Sequence, residues 1–543
     1  MSASSKKKLR NAQDAAKMTE KQLAEQKEAK KLKLYTTIFV VVLALMVCFA
    51  VYTGVSKTIE GSGIRERNTA ALTIGEHEIS NAELNYYFMD SVNNFYSQYG
   101  SYATLFGLDT TKPLDEQVAD PETGATWADD FMNAATSNIR AVYALNDAAA
   151  AAGFALSEAD LANVEANIEN MKSYATTIGY PNFNNYLKAV YGHGANEEGF
   201  RDYTMKSVIA QAYQAEYAAQ LTYDDAAIAT ESEANTKEYS AYTYNYYYLS
   251  TSRFLEGGTT DSEGAVTYSD EEKAASVKAA EKAALELAAG KYASIEEFNA
   301  AIAAMPINAD TENATSYAYT DAAYSSITAA FQEWVTANDR KAGDVTSLPY
   351  TSTDSDGNET VSGYYVVYFV DSNDNNYPLV NVRHILAAFE GGSYDSATGT
   401  TTYSDAEKAN AKEAAEALLA SWKSGEATEE SFAALANAES DDGNGTTGGL
   451  YEDVYPGEMV TNFNNWCFED GRQPGDTGIV ETEYGYHVMY FSGYSETLYR
   501  EFLIESSLRS ADAAEWYNAL VEATKVTNLD TKYIRTDLIL SGM

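Results

Sequence analysis

Cysteine, histidine and positive charge are all scarce in this sequence. Of the two cysteines, Cys48 lies in an apolar run and Cys467 far beyond it. They cannot pair within one chain, which leaves no internal disulfide. Only four histidines occur, His77, His193, His384 and His487. None stands with cysteine at zinc-ligand spacing, so the sequence calls for no metal and no cofactor. Lys and Arg total 37 against 80 Asp and Glu, a net charge of -43. That balance excludes nucleic-acid binding as a default, because neutralising phosphate takes Lys and Arg. It keeps the chain soluble and self-repelling, and favours basic partner segments.

What is present begins with size. At 543 residues the chain exceeds a single hydrophobic core. Its 43 tyrosines against 19 phenylalanines predict broad, half-wet aromatic surfaces. Residues 1–33 run against the overall charge, with ten Lys/Arg and four Asp/Glu. Leu34 to Val55 follows as 22 uncharged, largely apolar residues. At about 1.5 Å of rise per residue that length spans a hydrocarbon core. The flanking lysines put the basic tail in the cytoplasm. No short basic region and small-residue cleavage site marks a removable signal peptide. The expectation is an uncleaved single-pass anchor in the cytoplasmic membrane, with the bulk of the chain outside the cytoplasm.

After the anchor, Ala70 to Ser80 reads as a strand and a turn, with Ser80 the N-cap of a helix over NAELNYYFMDSVNNFY. Apolar positions at three- and four-residue spacing predict helices over Thr126–Ala152, Ser157–Ile178, Asn182–Tyr191 and Glu197–Leu221. His77 and His193 fall in turns and read as surface residues.

An internal repeat comes next. Glu256–Gly290 matches Glu390–Gly425 nearly residue for residue. Phe331, Trp334, Arg340 and Gly343-Asp344 recur at constant offset as Phe463, Trp466, Arg472 and Gly475-Asp476. The final strand recurs as well, Tyr364–Phe369 against Tyr486–Phe491. Two homologous domains therefore stand in tandem, 241–372 and 377–494, joined by a linker over Asp371–Asn376. Residues kept in both copies read as framework, whereas the histidines are not kept. His487 faces Tyr365, and His384 is aligned with Tyr247. Beyond the repeat, 495–543 carries a long amphipathic helix pattern. One helix cannot bury its own apolar face, so it must pack on the earlier helices.

The combination of His384-Ile-Leu, Ser440-Asp-Asp, Gly457-x-Met459-x-x-x-Phe463, Gly475-Asp476 and Tyr484-Gly-Tyr-His487 resembles a parvulin-type peptidyl-prolyl isomerase domain. The exported part as a whole resembles bacterial extracytoplasmic foldases of the PrsA and SurA type. The resemblance implies an α+β fold class. A helical SurA-like chaperone domain over 56–240 is completed by a C-terminal helix in 495–543. A degenerate parvulin-like domain, 241–372, and a parvulin isomerase domain, 377–494, each carry an antiparallel sheet with surrounding helices. One transmembrane helix, 34–55, precedes them all.

Carried over by resemblance, His384 and His487 are the paired histidines. Asp442 takes the loop position held in the family by cysteine or aspartate, and Thr482 the hydroxyl position beside the second histidine. Leu450, Met459, Phe463 and Phe468 form the proline pocket. Tyr484 departs from the family's small residue there, and either narrows the pocket or lends a hydroxyl. The loop after the first strand has no Lys or Arg, so phosphorylated substrates would be repelled. The implied partners are unfolded, proline-containing exported chains, with the membrane as tether. The sequence leaves open whether the chain forms a homodimer. A non-catalytic holdase is the alternative reading.

The chemistry needs no nucleophile. Rotation about an X–Pro bond crosses about 18–20 kcal/mol and takes tens to hundreds of seconds unaided. A catalyst has to favour the twisted amide over both planar forms. An apolar slot that dehydrates the amide above a rigid polar floor would do so.

Overall fold

The computed structural model describes residues 61–540, apart from 261–263, 312, 354–356, 358, 396–398 and 444–446, together with the isolated positions 6, 7, 33, 42 and 46. The membrane helix expected over 34–55 lies outside the described residues, save Val42 and Met46, as does nearly all of the basic tail. Among the described residues no helix is long and apolar enough to cross a membrane. The chain divides into two compact units, one holding residues up to 221 and those from 511 on, the other residues 222–510.

The first unit opens with a hairpin of β1 (Ala70–Ile74) and β2 (His77–Ser80). Helices α1 (Asn81–Tyr99), α2 (Trp127–Ala152), α3 (Glu158–Thr177), α4 (Phe183–Tyr191) and α5 (Glu197–Gln220) follow. Their starts are set by side-chain caps. Ser80 accepts from Glu83 N, and Thr126 and Ser157 form reciprocal boxes with Asp129 and Asp160. The core is one cluster in which Leu72, Tyr87, Phe88, Phe131, Ile139 and Leu187 are buried. The C-terminal residues complete this unit. Val526–Thr527 pairs with β1, Trp516 stacks on Tyr217 at 3.8 Å, and Ile534, Leu538 and Leu540 enter the core. His77 is exposed and bonds Asp147 at 2.9 Å; His193 is also exposed.

The second unit holds two four-stranded antiparallel sheets. In the first copy, β3 (Ala241–Ser250) is followed by α6 (Asp270–Ala288), α7 (Ile295–Ala303), β4 (Tyr317–Ala323), α8 (Ala329–Val335), β5 (Val345–Thr353) and β6 (Glu359–Asn373). The second copy has β7 (Pro378–Ala388), α9 (Asp405–Ser424), α10 (Glu429–Glu439), β8 (Leu450–Val454), α11 (Thr461–Cys467), β9 (Thr477–Glu481) and β10 (Gly485–Leu498). Strand orders correspond, β4-β3-β6-β5 and β8-β7-β10-β9.

The repeated residues do the same work twice. Glu272 caps α6 through Ser269 and accepts from Gly258 N at 2.9 Å; Glu407 caps α9 through Ser404 and accepts from Gly392 N at 2.9 Å. Asp344 Oδ2 accepts from Lys341 N at 2.9 Å and Asp476 Oδ2 from Gln473 N at 2.8 Å, closing matching turns. Arg340 lies over Trp334 at 4.9 Å and Arg472 over Trp466 at 4.0 Å. Val335 and Cys467 are both buried.

Two expectations need correction. The stretch read as a linker is ordered: Asp371–Asn373 belongs to β6, and buried Asn375 donates from Nδ2 to Tyr239 O at 3.0 Å. The structural counterpart of His384 is Tyr246, not Tyr247. His384 pairs with Met489 across β7 and β10, and the equivalent Val367 pairs with Tyr246 across β3 and β6.

Candidate active site

The site stands on the two central strands of the second sheet. His384 faces Met489 and His487 faces Leu386, so the histidines are diagonal neighbours. Residues two apart on a strand share a face, which puts both imidazoles on one side. Their Nδ1 atoms are 2.9 Å apart, with His384 2% and His487 5% exposed. Two glycines allow the backbone to close around them. Gly449 has φ +66, accepts from His384 N at 2.9 Å, and a Cβ there would lie 2.2 Å from His384 O. Gly485 has φ +152, and its Cβ would lie 2.2 Å from Ala387 O.

The polar contacts form a single chain. His384 Nε2 is 2.7 Å from Asp442 Oδ2, and His487 Nε2 is 2.8 Å from Thr482 Oγ1. Burial pushes both histidines below the usual 6.5, His487 to about 4, so both are neutral near pH 7. Neutrality fixes the protons. His384 Nε2–H donates to the carboxylate, which leaves His384 Nδ1 as acceptor for His487 Nδ1–H. His487 Nε2 then accepts from the Thr482 hydroxyl. All four ring nitrogens are committed, so the histidines hold a shape and polarity rather than exchange protons with a guest. Thr482 lies outside the cavity lining and meets the site through His487.

The loop after α10 is pinned so that Asp442 reaches this chain. Leu386 N donates to Ser440 Oγ at 3.1 Å, Asp441 N to Leu386 O at 3.0 Å, and Ala388 N to Asp441 Oδ2 at 2.9 Å. Above the floor is an open cavity of about 310 Å³. Met459, Val460 and Phe463 line it, with Leu386, Tyr451, Glu458, Tyr484, Asp442 and the two histidines. Phe463 sets its ring edge-on to both imidazoles, at 5.3 and 5.4 Å.

The structure thus brings together His384, His487, Asp442, Met459, Phe463 and Tyr484. It does not bring Leu450 or Phe468 to the cavity. On β8 successive side chains alternate between faces. Tyr451 takes the place expected of Leu450, its ring 5.3 Å from His384 and its hydroxyl donating to Asp442 Oδ2 at 3.2 Å. Phe468 lies past the end of α11, five residues beyond Phe463, and packs on the cluster of Val380, Val382 and Phe491 instead. Tyr484 stands at the mouth, 58% exposed, without filling the slot. Tyr451, Leu386, Val460 and Glu458 were missed; strand alternation around the histidine would have given Leu386, two residues on from His384.

A buried imidazole pair thus floors a solvent-open slot walled by Met459, Val460 and Phe463. Residues 364–492 match the family model of the PPIC-type PPIase domain. The match begins inside β6 and ends within β10, covering the second copy up to Ser492. The chain therefore carries a PPIC-type PPIase domain over these residues.

No curated protein matches the chain. Among solved structures it is similar to the peptidylprolyl isomerase PrsA of Bacillus anthracis, with 21% identity over 28% of this chain and 59% of that one, TM-score 0.17. PrsA of Bacillus cereus gives 25% identity over 28% and 50%, TM-score 0.17. A structure reported for the SurA-like chaperones PEB4 and Cj1289 of Campylobacter jejuni gives 14% identity over 56% and 83%, TM-score 0.14. The matched part spans less than two thirds of either PrsA chain. The assignment rests on the domain match and the site geometry.

Proposed function

We propose that this protein is a membrane-anchored foldase working outside the cytoplasm, which isomerises X–Pro bonds of newly exported polypeptides at 377–494. The observation that carries the isomerase part is the chain Thr482–His487–His384–Asp442 beneath an open apolar slot. A proline ring enters between Met459 and Phe463, the amide loses water, and its planar resonance form loses the solvent that favoured it. The fixed polar floor costs no reorganisation as the amide twists.

Client capture falls to the first unit. Tyr102, Leu105 and Phe106 are exposed there beside one another, Leu105 at 80%. Grouped exposed apolar side chains suit unfolded polypeptide. Domain 241–372 keeps the scaffold without the histidine pair and serves as a silent binding or spacing module. The apolar run 34–55 and the basic tail before it support the anchor.

The test uses the full-length chain in detergent with a proline-containing peptide. Acceleration of cis–trans exchange that is largely lost in His384→Ala and in Met459→Ala supports the reading; acceleration unchanged in both contradicts it. Protease added to intact spheroplasts should remove the bulk of the chain and spare the tail. Full protection would contradict the topology.

A further inference from the structure

We propose that the isomerase slot selects X–Pro bonds in which X, the residue ahead of proline, is lysine or arginine. The proposal rests on the isomerase reading above and adds the substrate class. Its basis is the charge of the cavity wall. Asp442 and Glu458 line the slot, and no lysine or arginine does. Among the described residues neither carboxylate is paired with a lysine or arginine. Asp442 meets His384 Nε2 and the Tyr451 hydroxyl, and Glu458 accepts only from Tyr455 N at 3.2 Å.

The nearby cations are engaged elsewhere. Arg383 bonds Glu429 at 2.9 Å and the carbonyls of Thr447 and Gly448. Lys408 pairs with Glu481 at 3.6 Å and covers Phe389. The two histidines, neutral near pH 7, offset nothing. The slot therefore presents two uncompensated carboxylates to whatever flanks the bound proline.

The same wall carries two tyrosine rings. Tyr484 is 58% exposed at the mouth, and Tyr451 is part-buried beside Asp442. A carboxylate next to an aromatic face is the arrangement that holds an ammonium or guanidinium group, the ring quadrupole adding to the ion pair. Tyr484 lines the slot, where a cationic X side chain would lie against its ring. A glutamate or phosphorylated X would meet Asp442 and Glu458 at close range and be repelled.

A competing source of such a preference is the overall charge of -43. Substitution separates the two: Glu458 is exposed at the rim, so salt weakens both sources, whereas Glu458→Gln removes one slot charge and barely changes the total.

The experiment measures kcat/KM of the full-length chain on Ala-Xaa-Pro-Phe peptides with Xaa = Lys, Arg, Gln or Glu, at low and high salt. Lys and Arg peptides are expected to exceed Gln by about fivefold, with Glu slower than Gln by a similar factor. High salt should reduce the Lys-to-Glu ratio without abolishing it, since Asp442 is part-buried, and Glu458→Gln should shrink it whatever happens to the absolute rates. Equal rates for Lys, Gln and Glu overturn the proposal while leaving the isomerase reading standing. A ratio that vanishes in high salt, or that Glu458→Gln leaves intact, also overturns it. No acceleration of any peptide overturns both.

Discussion

Tyr246 and Tyr365 pack edge-on at 5.4 Å across β3 and β6, at the register that His384 and His487 occupy across β7 and β10. Phe331 sits over the tyrosine pair at 5.4 and 5.2 Å, as Phe463 sits over the histidines. The correspondence extends to the next strand, where Tyr319 pairs with Tyr244 as Tyr451 pairs with Val382. One scaffold thus supports an aromatic floor in one copy and a hydrogen-bonded imidazole floor in the other. The difference between the domains is chemical, not architectural.

Converting the second floor into the first should separate scaffold from chemistry. The double substitution His384→Tyr/His487→Tyr is expected to fold, as judged by circular dichroism. Its isomerase rate should fall on the order of 100-fold, the scale of losing a preorganised polar group. A folded double variant with wild-type rate would contradict the role given to the pair.

Acid gives a second test. His487 is held near 4, below the ordinary 6.5, by burial first and by its neighbour His384 second. A histidine whose folded pKa is lowered contributes stability that is complete above about pH 6.5 and is lost as pH falls toward 4. Activity should stay level through pH 6.5, where a free imidazole titrates, and decline only near pH 4. A rate profile with its midpoint near 6.5 would show that the pair is not neutral.

The glycine pressed against the His384 strand should resist any side chain. Gly449→Ala adds a Cβ 2.2 Å from a carbonyl oxygen at a positive φ. It is expected to cost about 2 kcal/mol or more in urea unfolding. Gly443→Ala, where a Cβ meets nothing within 4 Å, should stay within about 0.5 kcal/mol of wild type.

Cys467 is expected to be chemically silent. It is 1% exposed, and burial pushes its thiol up to about 12. A thiol reagent should label it only after denaturation. Rapid labelling of the folded chain at this position would contradict the packing of α11.

Much of this arrangement was legible in the residues. Four histidines in so long a chain made any two on adjacent strand patterns informative, and the tandem repeat separated Trp466, Arg472 and Asp476 as framework. What failed was register. Tyr246, Tyr247 and Tyr248 are the same residue, so nothing in the sequence says which of them pairs with Val366 or Val367. A slip of one residue moves a side chain to the opposite face. The same ambiguity put Leu450 where Tyr451 stands. Phe468 misled for a different reason: it continues the apolar spacing of α11, but the helix ends at Cys467. The seam near residue 221 was not readable at all, because tertiary contacts decide where Asp225–Ala234 belongs.

The most direct test of the central claim is the exchange rate of an X–Pro peptide measured by NMR magnetisation transfer, with wild type compared with His384→Ala, His487→Ala and the pair together. The committed ring nitrogens form one chain, so each single substitution should cost nearly as much as both. Losses that simply multiply, or a double variant as fast as wild type, would contradict a site built on the contact between His384 and His487.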